Sequence, residues 1–166
     1  MDLAQSLRAA LGQDRVRLDA SLAPFTTFRI GGPADLLAEV RSADEALVAL
    51  RIGREAGVPL TWLGGGSNVL VGDAGVRGLV VRWHGGRIET LAPDRVRAEA
   101  GVTLNGLVRY TIGQGLSGLA EWAGTPGTVG GAVHGNAHFQ GRLLSESVAS
   151  VEIATPDGAE HTLDGA

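Results

Sequence analysis

Gly64, Gly65, Gly66, Ser67 and Asn68 form a run that could bind an anion. Three consecutive glycines remove every Cβ from a tight turn, so the backbone can adopt positive φ and approach a ligand closely. Successive bare N–H groups in such a turn can form an anion-binding nest. Ser67 and Asn68 add short polar side chains. A diphosphate suits this combination, and so does a plain surface loop between two strands. Two familiar phosphate readers are excluded. A Walker A loop needs a Lys after its last glycine, and all 14 basic residues here are Arg. A Rossmann fingerprint needs a third glycine opening a helix, whereas Val69-Leu70-Val71 reads as extended.

A second low-bulk stretch runs Gly124-Thr125-Pro126-Gly127-Thr128-Val129-Gly130-Gly131-Ala132-Val133-His134-Gly135-Asn136-Ala137. A third, Thr26-Thr27-Phe28-Arg29-Ile30-Gly31-Gly32-Pro33-Ala34-Asp35, has the same character. Two long segments of little bulk in one small chain suggest two walls of one extended ligand. His134 and His138 stand four residues apart and could share a helix face. Two His without a third ligand do not make a metal site, and none is expected. Trp122 reads as core, Arg29 as an exposed Arg at a strand end, and Arg109 as solvated.

The elements that must position these segments follow from periodicity and punctuation. Residues 2–11 read as an amphipathic helix with Leu3, Leu7, Ala10 and Leu11 on one side and Gly12 as its stop. Residues 15–18 and 34–40 read as strands. Ser42 and Glu45 form a capping box that opens a helix to about Ala56, with Gly57 at its end. Residues 59–63 return as a strand into the glycine turn, a βαβ unit with parallel strands and a right-handed crossover. Residues 78–83 give a further buried strand. Residues 87–91 and 95–100 form a hairpin around Pro93-Asp94. Thr103 caps a helix through Gln114, with Leu104, Leu107, Val108 and Ile112 inward and Gly115 as stop. Residues 117–122 give a helical turn. Residues 148–154 and 160–163 form a last hairpin around Thr155-Pro156-Asp157-Gly158. The expected fold class is α+β: a small βαβ-containing lobe, then a larger mixed α+β lobe, with the ligand between them.

Bulk properties narrow the function. A net charge of −4 with dispersed arginines argues against a nucleic-acid binder. The absence of cysteine leaves no disulfide framework and no thiolate metal site. No apolar run approaches the roughly 18 residues of a membrane span, and the N-terminus carries no signal-peptide pattern, so a cytoplasmic protein is expected.

The three segments, in this order and spacing, resemble the UDP-N-acetylenolpyruvoylglucosamine reductases, flavoenzymes of bacterial peptidoglycan synthesis. These belong to a wider group with the vanillyl-alcohol-oxidase-like FAD-binding fold. GGGSNVLV is shared more loosely across that group, whereas GTPGTVGGAVxxNA is specific to the reductases. The resemblance implies a non-covalent FAD, NADPH as co-substrate and a small nucleotide-sugar substrate. It carries the pyrophosphate onto Gly64, Gly65, Gly66, Ser67 and Asn68, continued by Val69 and Leu70. The flavin and its ribityl chain fall to Thr125, Pro126, Gly127, Thr128, Val129, Gly130, Gly131, Ala132, Asn136 and Ala137, and Ile30 and Gly31 match the front motif. His138 stands where the family has Gly, so the chain shifts locally or the ring points outward. The implied organisation is an N-terminal helix and strand (1–20), a first FAD-binding subdomain (21–84) and a second, incomplete one (85–166). The family's catalytic Arg, Ser and Glu and its substrate-binding domain fall beyond Ala166, so no catalytic role is assigned.

Overall fold

Helix α1 (Leu3–Leu11) buries Ala4, Leu7 and Leu11 against the sheet that follows, as apolar residues three and four apart require. The computed structural model describes residues 2–165. After α1 come β1 (Val16–Ser21), β2 (Pro33–Val40), α2 (Ala43–Glu55), β3 (Leu60–Leu63) and β4 (Val76–Trp83). The four strands form one sheet in the order β1-β2-β4-β3. The β1–β2 pair is antiparallel; β4 runs parallel to both β2 and β3.

The βαβ unit is therefore present with parallel strands, but β2 and β3 are not neighbours. Strand β4 returns after the glycine turn and lies between them. Its centre, Leu79-Val80-Val81, is at most 1% exposed. A strand apolar on both faces belongs in the middle of a sheet covered on both sides.

The side-chain period of two divides the core. Leu36, Ala38, Val40, Leu79 and Val81 pack with residues of α1 and α2. Leu37, Val80 and Leu63 face the other way and pack with Leu22, Phe25, Val71 and Val76. Burying a side chain such as Leu37 contributes about 1.5–3 kcal/mol. Ser42 Oγ accepts from the Glu45 N–H at 3.2 Å, as expected for a cap. The return half of the capping box differs: Glu45 Oε2 accepts from the Arg41 N–H at 2.8 Å and meets Arg15 at 2.7 Å. Gly57, at φ +65°, ends α2 with Gly57 N–H donating to Arg54 O and Val58 N–H to Gly53 O, a Schellman motif.

Beyond His84 the chain forms the hairpin β5 (Ile88–Ala92) and β6 (Arg95–Ala98), then α3 (Leu104–Gly113), α4 (Val129–His134), the short pair β7 (His138–Phe139) and β8 (Arg142–Leu143), and the hairpin β9 (Ser150–Ala154) and β10 (Glu160–Asp164). Leu104, Val108, Trp122 and Leu144 form its core. The fold is thus mixed α+β with a parallel and antiparallel sheet, as expected.

Four local expectations are corrected. Ala10 is exposed, and Ala4 takes the inward place on α1. Ile112 is 53% exposed; Thr111 takes the inward place because residues 104, 107, 108 and 111 complete the stripe. The turn near Trp122 shrinks to a 3-10 turn, Ala120–Trp122, after Gly118 at φ +103° breaks the chain direction. His134 and His138 share no helix face, since α4 ends at His134 and His138 lies in β7.

Candidate cofactor site

The glycine turn follows β3, where parallel register with β4 holds Leu63 opposite Arg82. Of its three glycines only Gly66 has positive φ, at +65°. The other two are required by close approach instead. A Cβ on Gly65 would stand 2.8 Å from Gly127 Cα, and one on Gly64 would stand 2.4 Å from Thr128 Oγ1. A Cβ on Gly127, which is at φ +107°, would meet Ser67 Oγ at 2.8 Å. The first and second glycine stretches are therefore in backbone contact.

The front segment closes the third side. Thr27 N–H donates to Gly66 O at 3.0 Å, and Phe25 O occupies the space of a Gly66 Cβ, 1.9 Å from that position. Gly32 N–H donates to Gly72 O at 3.0 Å, and Gly31 lies against Val71. Three segments separated by up to about a hundred positions meet at one turn.

The turn retains unused donors. Among the described residues, the N–H groups of Gly65, Gly66, Ser67 and Asn68 donate to no protein acceptor. Thr125 Oγ1 is buried and has no hydrogen-bond partner among the described residues. Burial of Thr125 Oγ1 without a partner is costly, and free N–H donors beside a bare backbone fit an anionic group with oxygen acceptors. A diphosphate-bearing cofactor fits both features: a cradle that any Cβ would fill, and N–H groups with nothing else to bind.

Thr128 caps α4, its Oγ1 accepting from Gly131 N–H at 3.4 Å. Val129 N–H donates to Val102 O and Gly130 N–H to Ala100 O, each at 2.8 Å. Val129 and Ala132 lie in α4, where Ala132 packs on the second core. Asn136 and Ala137 lie past the end of α4. Asn136, at φ +39°, uses Oδ1 to accept from Ser145 N–H at 3.1 Å, and Ala137 packs on the second core. Val69 and Leu70 are 39% and 73% exposed, and Ile30 is 51% exposed, which gives the turn an apolar border. Residues 69–71 form no strand. His138 is exposed at the β7–β8 hairpin, so its ring points outward. Trp122 is core, and Arg29 and Arg109 are exposed.

Sequence reasoning missed α4, whose paired glycines depress helix propensity, and the role of Phe25 and Thr27 in gripping Gly66. It also missed an ionic cluster on the same sheet face as Leu37. Glu39 of β2 pairs with Arg17 of β1 and, at 3.0 Å, with Arg82 of β4. His84 Nε2 lies 2.8 Å from Glu39 Oε2 without the alignment of a hydrogen bond. Burial, with the charges of Arg82 and Arg41, holds the His84 pKa below its ordinary value against the pull of Glu39. Strand alternation could have placed Glu39 and Arg82 on one face; their pairing required the sheet order.

Known proteins of the same kind bear on this site. The FAD binding domain family matches residues 34–164. The UDP-N-acetylenolpyruvoylglucosamine reductase of Moorella thermoacetica is 44% identical over 150 residues, covering 90% of this chain and 50% of that protein. The enzyme of the same name from Anaeromyxobacter sp. (strain Fw109-5) is 49% identical over 144 residues, covering 85% and 45%. The chain thus spans about half the length of the curated relatives it matches. The crystal structure of UDP-N-acetylenolpyruvylglucosamine reductase from Thermus caldophilus superposes with a TM-score of 0.71 at 35% identity, covering 90% of this chain and 51% of that one. p-Cresol methylhydroxylase, at 20% identity and TM-score 0.67, shares the fold.

Proposed function

Because the chain belongs to the FAD binding domain family, we propose that it holds a non-covalent FAD for an NADPH-dependent reduction of UDP-N-acetylglucosamine enolpyruvate to UDP-N-acetylmuramate. The observation that carries the cofactor half is the Gly65–Gly127 contact beside unused N–H groups. The similarity to reductases over most of this chain supports the substrate half. FAD bound there would supply hydride transfer from NADPH to the enolpyruvyl double bond, and a proton would complete the reduction.

The chain's own residues bind, orient and shield. The N–H groups of Gly65, Gly66, Ser67 and Asn68 would hold the pyrophosphate, with the Ser67 and Asn68 side chains adding to them. Gly64 stays bare to admit Thr128. Thr125, Pro126, Gly127, Thr128, Val129, Gly130, Gly131 and Ala132 line the flavin side, and Asn136 and Ala137 support that wall from behind. Ile30, Gly31, Val69 and Leu70 border the turn with apolar surface that limits water. Residues 1–20, 21–84 and 85–166 act as entry segment, first and second FAD-binding subdomains. A cytoplasmic setting in cell-wall synthesis follows from the substrate. No helix among the described residues is long and apolar enough to cross a membrane.

A chimera tests this reading. The first half of the Moorella thermoacetica enzyme is replaced by this chain and NADPH oxidation is followed. Oxidation that depends on UDP-N-acetylglucosamine enolpyruvate is expected. A chimera that holds FAD but oxidises NADPH no faster with substrate than without it contradicts the reading.

A further inference from the structure

We propose that Glu39, about twenty-five residues before the Gly64–Gly66 turn in sequence, is a positioning residue for that turn. In its affinity arm the inference rests on the FAD reading above. Phe25 is the link. Its carbonyl stands where a Gly66 Cβ would be, and the Thr27 N–H two residues on holds Gly66 O at 3.0 Å. Residues 25–27 therefore grip the turn from two sides, and the turn is placed only as well as Phe25 is placed.

Phe25 is not in a strand. It ends a 3-10 turn, Ala23–Phe25, tied locally by Phe25 N–H to Leu22 O at 2.9 Å. Its ring is fixed by two cations: the Arg82 guanidinium carbon lies 4.6 Å from the ring centroid and that of Arg17 lies 5.2 Å away. Both lie within the roughly 6 Å range of cation–π attraction. Two guanidinium groups over one ring repel each other. The carboxylate of Glu39 stands between them, with Oε1 on Arg17 and Oε2 on Arg82. The Glu39 and Arg82 side chains are 16% and 23% exposed, so that pair is screened less than a surface pair, while Arg17 is 45% exposed. Each of the three sheet strands β1, β2 and β4 contributes one member. The sheet thereby transmits its rigidity through Glu39, the two arginines and the Phe25 ring to the Gly66 carbonyl.

Removing the carboxylate charge with little change of shape, by Glu39→Gln, leaves the arginines mutually repelling and releases the ring. The Thr27 amide then exchanges with solvent about tenfold faster, while the strand amides of β2 and β4 keep their protection, and FAD binds about tenfold more weakly. Phe25→Leu, which keeps an apolar side chain but no ring face, gives the same selective loss. The double variant loses no more than Phe25→Leu alone, because Glu39 acts through the ring. Amide exchange is read by NMR on the protein without FAD, and affinity by flavin fluorescence. Unchanged Thr27 exchange in Glu39→Gln, an equal rise across all sheet amides, or additive losses in the double variant overturns the inference. If the parent protein fails to bind FAD, the flavin reading fails, and the exchange measurement still decides the role of Glu39.

Discussion

Gly127 Cα stands 2.8 Å from the position a Cβ on Gly65 would take, so two loops more than sixty residues apart touch through bare backbone. Phe25 O presses on Gly66 from the front segment. The site is thus a junction of three segments in which glycine is needed chiefly for contact. Asn68 is exposed beside that junction. Asn68→Ala should weaken FAD binding by about 1–3 kcal/mol through loss of a hydrogen bond to a charged phosphate, with the melting temperature unchanged. Parallel flavin titrations and thermal melts would show it; an equal fall in both would point to a structural role.

Gly66→Ala tests the junction as a folding element. The new methyl would lie 1.9 Å from Phe25 O at a residue with φ +65°. Positive φ alone costs a non-glycine residue on the order of 1–3 kcal/mol, and the clash adds to it. Urea unfolding should show a loss of about 2 kcal/mol or more in the protein without FAD. Unaltered stability would mean that segment 25–27 yields freely.

Ser42→Ala separates fold from site. Ser42 Oγ caps α2 through the Glu45 N–H, so its loss should cost about 1 kcal/mol in unfolding free energy while FAD affinity stays at the parent value. A matching drop in affinity would show that α2 sits closer to cofactor binding than the sheet topology implies.

Acid should weaken the fold through His84. Its pKa in the folded protein is depressed, by burial first and by Arg82 next. The unfolded chain therefore binds the proton more readily. The stability this group contributes is present above its unfolded value of about 6.5 and is lost as pH falls through the folded pKa. Urea midpoints of the parent should fall between pH 7.5 and pH 5.5, and His84→Gln should flatten that fall. An identical pH dependence in the variant would remove His84 from the account.

Much of this was legible in the chain because local chemistry decided it. Ser42 and Thr103 cap their helices as short hydroxyl side chains before apolar runs should, and Thr155-Pro156-Asp157-Gly158 turns between paired strands. The apolar run of β4 marked it as buried, yet its place between β2 and β3 depends on long-range pairing that no local signal carries. Glycine content pointed to the site, but not to the reason for each glycine. Gly65 reads as a conformational residue and acts as a contact residue, because Gly127 is invisible from its neighbourhood in sequence. Helix α4 was hidden by its own glycines, and the Glu39 cluster by the need to know which strands adjoin.

Titration of FAD into this protein and its Gly65→Ala variant decides whether the Gly65–Gly127 junction holds FAD. Saturable quenching of flavin fluorescence by the parent is expected, with binding at least about tenfold weaker in the variant, whose single added methyl must part the two loops and disturb the N–H groups beside them. No binding by the parent at high-micromolar FAD, or equal binding by both proteins, would contradict it.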